Sequence, residues 1–185
     1  MALTPSTMLP LGSEAPCFSL LDPGTGQTLD SNQLFSSKGT VVMFICNHCP
    51  YVKHINKVLV QVAKQYQEKG IKFIAINSND VENYPEDGPE EMVATAKNLN
   101  YPFPYLYDAT QKVAKAYQAA CTPDFYLFAG DKKLVYRGQF DESTPGNGVL
   151  VTGDKLSAAM DCLLAGKTIS EDQHPSVGCN IKWKE

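Results

Sequence analysis

Arg137 is the only arginine in a chain of 185 residues that also has one tryptophan and three histidines. With a formal net charge of −4, that scarcity argues against nucleic acid or an anionic membrane as a partner, because both require clustered Lys and Arg. Long hydrophobic runs are also missing. None approaches the roughly 18 apolar residues of a membrane-crossing helix. The opening Met-Ala-Leu-Thr-Pro-Ser-Thr-Met-Leu-Pro has no basic stretch leading into an apolar one, so a cytoplasmic location is expected. There is no internal repeat and no low-complexity block. At 43% hydrophobic and 19% charged, the composition is that of an ordinary globular protein rather than a disordered one.

Six cysteines are present: Cys17, Cys46, Cys49, Cys121, Cys162 and Cys179. Without a secretory signal they read as reduced thiols, catalytic thiols or metal ligands rather than as a disulfide framework. The length suits one domain over residues 1–185, with an extended lead-in at 1–11 and a tail from 167 to 185.

Asp22-Pro23-Gly24-Thr25-Gly26 is a turn signal between short extended segments and predicts an N-terminal β-hairpin. Thr40 to Cys46 is a continuous apolar run that reads as a buried strand. Val52, Ile55, Leu59, Val62 and Tyr66 then recur at spacings of three and four, the pattern of one helix face, with Pro50 in the first turn and Gly70 beyond the end. Ile71 to Asn77 is a second apolar strand, which completes a βαβ unit. Residues 78–89 read as a polar loop. Glu90 to Leu99 reads as a helix broken by Tyr101-Pro102-Phe103-Pro104. Asp108 is read as the N-cap of a helix through Ala119. Phe125–Phe128 and Leu134–Phe140 read as a second hairpin around Gly130-Asp131, and Asp154 is read as the cap of a last helix to about Leu164. The order predicts an α/β, thioredoxin-like fold: a central mixed β-sheet flanked by helices, with an N-terminal β-hairpin extension.

The strongest chemical signal is Cys46-Asn47-His48-Cys49, at the end of a buried strand and the start of a helix. A thiolate is the nucleophile, yet a free cysteine near pKa ~8.5 is mostly protonated at neutral pH. A helix N-terminus favours the anion. A two-residue gap lets one thiol attack a partner disulfide and the other resolve the mixed disulfide. Cys46 is read as nucleophile, Cys49 as resolver and His48 as the group that tunes thiolate character. The C-x-x-C could instead be half of a zinc site, but a second pair at metal-ligand spacing is missing, so no metal is expected. Haem attachment would need a histidine directly after Cys49, where Pro50 stands.

Gly12-Ser13-Glu14-Ala15-Pro16-Cys17-Phe18-Ser19-Leu20 resembles the G-x-x-A-P-x-F-x-L opening of the AhpC/TSA redoxins. Cys46-Asn47-His48-Cys49-Pro50-Tyr51-Val52 resembles the C-N-H-C-P-Y-V signature of a peroxiredoxin-like branch with the thioredoxin fold. Cys121-Thr122-Pro123-Asp124-Phe125 is similar to its cis-proline turn, and Gly178 to Trp183 to its closing segment. The resemblance implies a thioredoxin fold, thiol redox chemistry, and a cis Thr122-Pro123 peptide facing the active site. It implies no organic cofactor, since thiols carry the electrons. It implies a reductant such as thioredoxin, glutaredoxin or glutathione, and a disulfide or hydroperoxide substrate.

The sequence departs from the P-x-x-x-T-x-x-C pattern of peroxiredoxins. With Cys49 in the peroxidatic position, Cys46 replaces the threonine and Val42 the proline. Arg137 is the sole candidate for a helper arginine. Cys121, ahead of the suspected turn, is either a third redox thiol near Cys46 or a small buried hydrophobe. Cys179 either packs or resolves a sulfenic acid if the tail folds back over the site. Cys17 and Cys162 read as packing residues. Asp80, Glu82, Glu86, Asp87, Glu90 and Glu91 read as a solvated acidic stretch. Three functions follow as expectations: a thiol–disulfide oxidoreductase or thiol-dependent antioxidant protein; a thiol peroxidase; or a non-catalytic redox sensor or metal-binding protein on the same fold.

Overall fold

The structure, a computed structural model, describes residues 3–184. The first two residues of the expected lead-in and the last residue of the tail lie outside the described residues. The elements in chain order are β1 (Leu3–Pro5), β2 (Ser19–Asp22), β3 (Gln27–Asp30), α1 (Ser31–Leu34), β4 (Thr40–Phe44), α2 (Pro50–Glu68), β5 (Lys72–Asn77), α3 (Pro89–Leu99), β6 (Tyr105–Tyr107), α4 (Lys112–Ala116), β7 (Cys121–Thr122), β8 (Asp124–Phe128), β9 (Leu134–Gly138), α5 (Asp154–Leu164) and β10 (Val177–Asn180). A single 3₁₀ turn, Pro85–Asp87, precedes α3.

Seven strands form one mixed sheet in the order β3-β2-β6-β5-β4-β8-β9. The three central strands run parallel, β4 beside β5 and β5 beside β6. The predicted hairpins are present as β2–β3 and β8–β9. Strand β4 is buried on both faces, which explains its unbroken apolar run. Val41 and Met43 pack on one side with Val52, Ile55, Leu59, Val62 and Tyr66 of α2. Val42 and Phe44 pack on the other with Tyr117, Tyr126 and Phe128. Each aliphatic side chain buried this way contributes about 1.5–3 kcal/mol. Among the described residues no helix is long and apolar enough to cross a membrane.

Three expectations are corrected. The helix expected from Asp108 starts only at Lys112, because Gln111 adopts φ 60° and breaks the chain direction. Asp108 is instead buried, accepting from Ser78 Oγ at 2.9 Å and the Ala114 amide at 3.0 Å. Tyr105–Tyr107, where the prolines suggested only a break, pairs with β5 as a strand. The irregular tail contains β10, which joins β1 and β7 in a small second sheet ordered β1-β10-β7.

That second sheet brings both ends of the chain to Thr122. Leu3 pairs with Cys179, and Cys179 pairs with Thr122. The strands approach so closely that a Cβ on Gly178 would lie 2.0 Å from the Thr122 carbonyl oxygen. Only glycine permits that approach.

Candidate active site

The site forms where β4 gives way to α2. The Ile45 amide still donates to Ile76 O at 3.0 Å, so the chain follows the sheet up to the motif. Pro50 occupies the first helical turn, where its missing N–H costs nothing. Cys49 is the N-cap residue, and its carbonyl accepts the Lys53 amide at 3.0 Å. Cys46 and Cys49 thus lie in the short irregular link between the end of β4 and the start of α2.

Both sulfurs face Thr122, whose bond to Pro123 is cis, as the resemblance implied. Cys46 Sγ lies 3.4 Å from Thr122 Oγ1, and Cys49 Sγ lies 3.2 Å from Thr122 O. Cys179 Sγ lies 3.0 Å from Cys49 Sγ on its other flank. Cys46 and Cys49 are both buried.

The hydrogen bond from Cys46 lowers the Cys49 pKa to about 4; burial opposes the shift, and the Cys179 thiol adds to it. The same Cys46–Cys49 bond, burial and the Asp87 carboxylate push Cys46 up. Burial, then the bond to Cys49, pushes Cys179 up to about 12.

His48 was expected to tune Cys46 directly. Its Nδ1 lies 3.9 Å from Cys46 Sγ but only 2.6 Å from Asp87 Oδ2. The bond to Asp87 raises the His48 pKa from its ordinary 6.5 against the opposing effect of burial. Burial acts to raise Asp87, but the His48 and Asn79 donors outweigh it and hold the carboxylate below its ordinary 3.8. His48 also stacks on Tyr84, with ring centroids 5.3 Å apart.

The signs define a pH window. The raised His48 pKa contributes stability that is full below pH 6.5 and lost as pH rises through the folded value. The lowered Asp87 pKa contributes stability that is full above pH 3.8 and lost as pH falls through the folded value. The pair therefore stabilises the fold most between these limits. An NMR titration of the His48 ring is expected to give a midpoint above 6.5. A midpoint at or below 6.5 would show that the ion pair does not form.

Asp87 is the residue that the sequence did not single out. It is fully buried, not part of a solvated acidic stretch. Its Oδ1 accepts the Asn47 amide at 2.8 Å and the His48 amide at 3.1 Å. Its Oδ2 accepts Asn79 Nδ2 at 2.8 Å as well as His48. Asn47 is further held by Glu86 O and Tyr105 Oη. One carboxylate thus ties the loop before α3 to the residues between the cysteines. Asp80 is also buried rather than solvated. Nothing in the composition of residues 80–91 separates Asp87 from its exposed acidic neighbours.

Cys46 Sγ, His48 Nδ1 and an Asp87 carboxylate oxygen all lie within 4.8 Å of one another, a grouping able in principle to hold a metal. Tetrahedral ligands about 2.1 Å from a metal sit about 3.4 Å apart. The 2.6 Å between His48 and Asp87 is instead a hydrogen-bond distance.

Other candidates fall outside the corner. Successive strand side chains point to opposite faces. Because Thr122 faces the thiols, Cys121 turns away from Cys46, toward Pro123 O at 3.6 Å and Ser176 O at 3.9 Å. Burial pushes its pKa upward. Arg137 is a fully buried core residue, with Nη2 3.3 Å from Asp124 Oδ2, 3.0 Å from Thr7 Oγ1 and 3.1 Å from Tyr126 Oη. It makes none of these contacts at the thiol corner. Cys17 is exposed and Cys162 half-buried, so Cys17 is not a packing residue.

The AhpC/TSA family model matches residues 11–138. No curated protein matches the sequence. Among solved structures, an uncharacterized conserved protein from Geobacillus kaustophilus is 56% identical, with a TM-score of 0.98 over 100% of this chain and 97% of that one. A hypothetical protein from Sinorhizobium meliloti 1021 is 47% identical, with a TM-score of 0.95 over 98% of each chain. A secreted Mycobacterium tuberculosis disulfide oxidoreductase, described as homologous to E. coli DsbE, is 19% identical, with a TM-score of 0.59 over 78% of this chain and 95% of that one. At that identity the likeness is one of fold: a mixed sheet flanked by helices, of the thioredoxin kind.

Proposed function

Because the chain belongs to the AhpC/TSA family, we propose that it is a thiol–disulfide oxidoreductase whose redox pair is Cys46 and Cys49. The observation that carries this reading is the meeting of two thiols at a strand-to-helix corner against Thr122, beside a cis-proline turn. Cys46, the cysteine that ends the β4 run, is the sulfur that meets the substrate. Cys46 gives up its proton to solvent and, as the thiolate, attacks one sulfur of a partner disulfide. The partner S–S bond breaks, a mixed disulfide forms, and the departing partner thiolate takes up a proton. Cys49 then gives up its proton and attacks Cys46 Sγ. The Cys46–Cys49 bond forms and the second partner thiolate leaves. A thioredoxin, glutaredoxin or glutathione system returns the pair to dithiol. His48 and Asp87 position the two residues between the cysteines and hold a neutralised charge beside Cys46.

The alternative, hydroperoxide reduction, calls for polar donors that polarise the O–O bond. The sole arginine is committed to Asp124 in the core. The decisive experiment uses fully reduced wild-type protein. One sample receives stoichiometric hydrogen peroxide and another a model disulfide, with thiol loss followed in time and the oxidised cysteines located by mass spectrometry. Rapid exchange with the disulfide, slow loss to peroxide and a Cys46–Cys49 bond are expected. Fast oxidation by peroxide with little disulfide exchange would make the protein a peroxidase. Cys46 and Cys49 reduced in both samples would end the catalytic reading.

A further inference from the structure

The C-terminal strand delivers a third thiol to the redox corner. Its place there is set by backbone pairing on both edges: Leu3 opposite Cys179 on one side, and Thr122 opposite Cys179 on the other. The following residues extend the attachment, since the Ile181 amide donates to Ala120 O at 3.1 Å and the Lys182 amide to Asn79 Oδ1 at 2.9 Å. Gly178 permits the close approach to Thr122 that this register needs. Cys179 is 2% exposed, and its sulfur sits 3.0 Å from Cys49 Sγ, about 1 Å longer than a disulfide bond. Cys49 thus has two thiol neighbours, Cys46 by hydrogen bond and Cys179 at 3.0 Å.

We propose that Cys49 is a shared sulfur, so that the oxidised protein exists as two disulfide isomers, Cys46–Cys49 and Cys49–Cys179, which interconvert within one chain. The inference rests on the oxidoreductase reading for how the first disulfide arises. In the exchange, Cys179 loses its proton and attacks Cys49 Sγ. The Cys49–Cys179 bond forms as the Cys46–Cys49 bond breaks. The electron pair leaves on Cys46 Sγ, which takes up the proton that Cys179 released. Electrons balance within the chain, and no outside oxidant is consumed.

The consequence is a place to keep oxidising equivalents. In the second isomer the disulfide lies inward and links β10 to the N-cap of α2. Cys46 is a thiol again, beside His48 and able to meet a second disulfide partner. Cys179 is then a catalytic residue, because it bonds directly to a reacting sulfur.

The test oxidises the reduced protein with oxidised glutathione, blocks remaining thiols by alkylation, and maps disulfides in unreduced peptides by mass spectrometry. Wild type, Cys46→Ser and Cys179→Ser are compared. Wild type is expected to give both a Cys46–Cys49 peptide and a cross-link between the Cys49 and Cys179 peptides. Cys46→Ser should give the cross-link in the majority of chains, and Cys179→Ser only Cys46–Cys49. The wild-type sample tests the idea without any substitution. The inference is overturned if wild type forms Cys46–Cys49 alone and Cys46→Ser carries glutathione on Cys49 with Cys179 still reduced; the oxidoreductase reading then stands. If wild type forms neither bond, both fail together.

Discussion

Replacing Cys46 with serine is expected to lower kcat/KM for a model disulfide on the order of 10³-fold. Serine keeps the size of the side chain, but its hydroxyl stays protonated at neutral pH and is a far weaker nucleophile toward sulfur. The companion Cys49→Ser should behave differently. Cys46 can still attack, but it loses the sulfur that resolves the mixed disulfide. That variant should stop after one event, with the substrate half attached to Cys46 and visible in the intact mass. The two variants thus separate attack from resolution. Wild-type turnover by either would mean that the C-x-x-C pair is not the redox centre.

Asp87→Asn is expected to be the most damaging isosteric change around the site. Two backbone amides converge on Oδ1 and two side-chain donors on Oδ2. An amide must present its NH₂ to one of these pairs, so at least one buried donor loses its acceptor whichever way it turns. The charge pair with the partly buried His48 is lost as well. Leaving a buried donor unpaired costs about 1–3 kcal/mol, which for a chain of this length is a fall of roughly 2–12 °C in Tm. With the carboxylate gone and burial retained, the His48 titration midpoint should fall below 6.5. Circular dichroism melts and the NMR titration check both. A melting point within 2 °C of wild type would mean that Asp87 does not anchor the motif.

The C-x-x-C corner was legible because its signals are local. A β-branched apolar run, a cysteine, two residues, a second cysteine and a proline at a helix start specify a strand-to-helix corner without reference to the rest of the chain. The two hairpins, β2–β3 and β8–β9, were legible for the same reason, each through its turn residues. Helix α4 was misplaced because Asp108 is as good an N-cap as any aspartate. Its carboxylate is spent on Ser78 and Ala114, a pairing 30 residues away in one case and across a left-handed Gln111 in the other.

By itself, the amino-acid sequence determined the mixed α/β sheet, the position of Cys46 and Cys49 and the turn before Asp124. These follow from periodicity and from residues within a few positions of one another. Tertiary structure alone decided what surrounds the sulfurs. Asp87 reaches Asn47 and His48 across about 40 positions, and Cys179 reaches Cys49 across 130. Such contacts are set by strand pairing and loop packing, whose partners are fixed only when the whole core closes. The same closure buried Arg137 on Asp124 and turned Cys121 away from the thiols, because a strand can offer only every second side chain to one face.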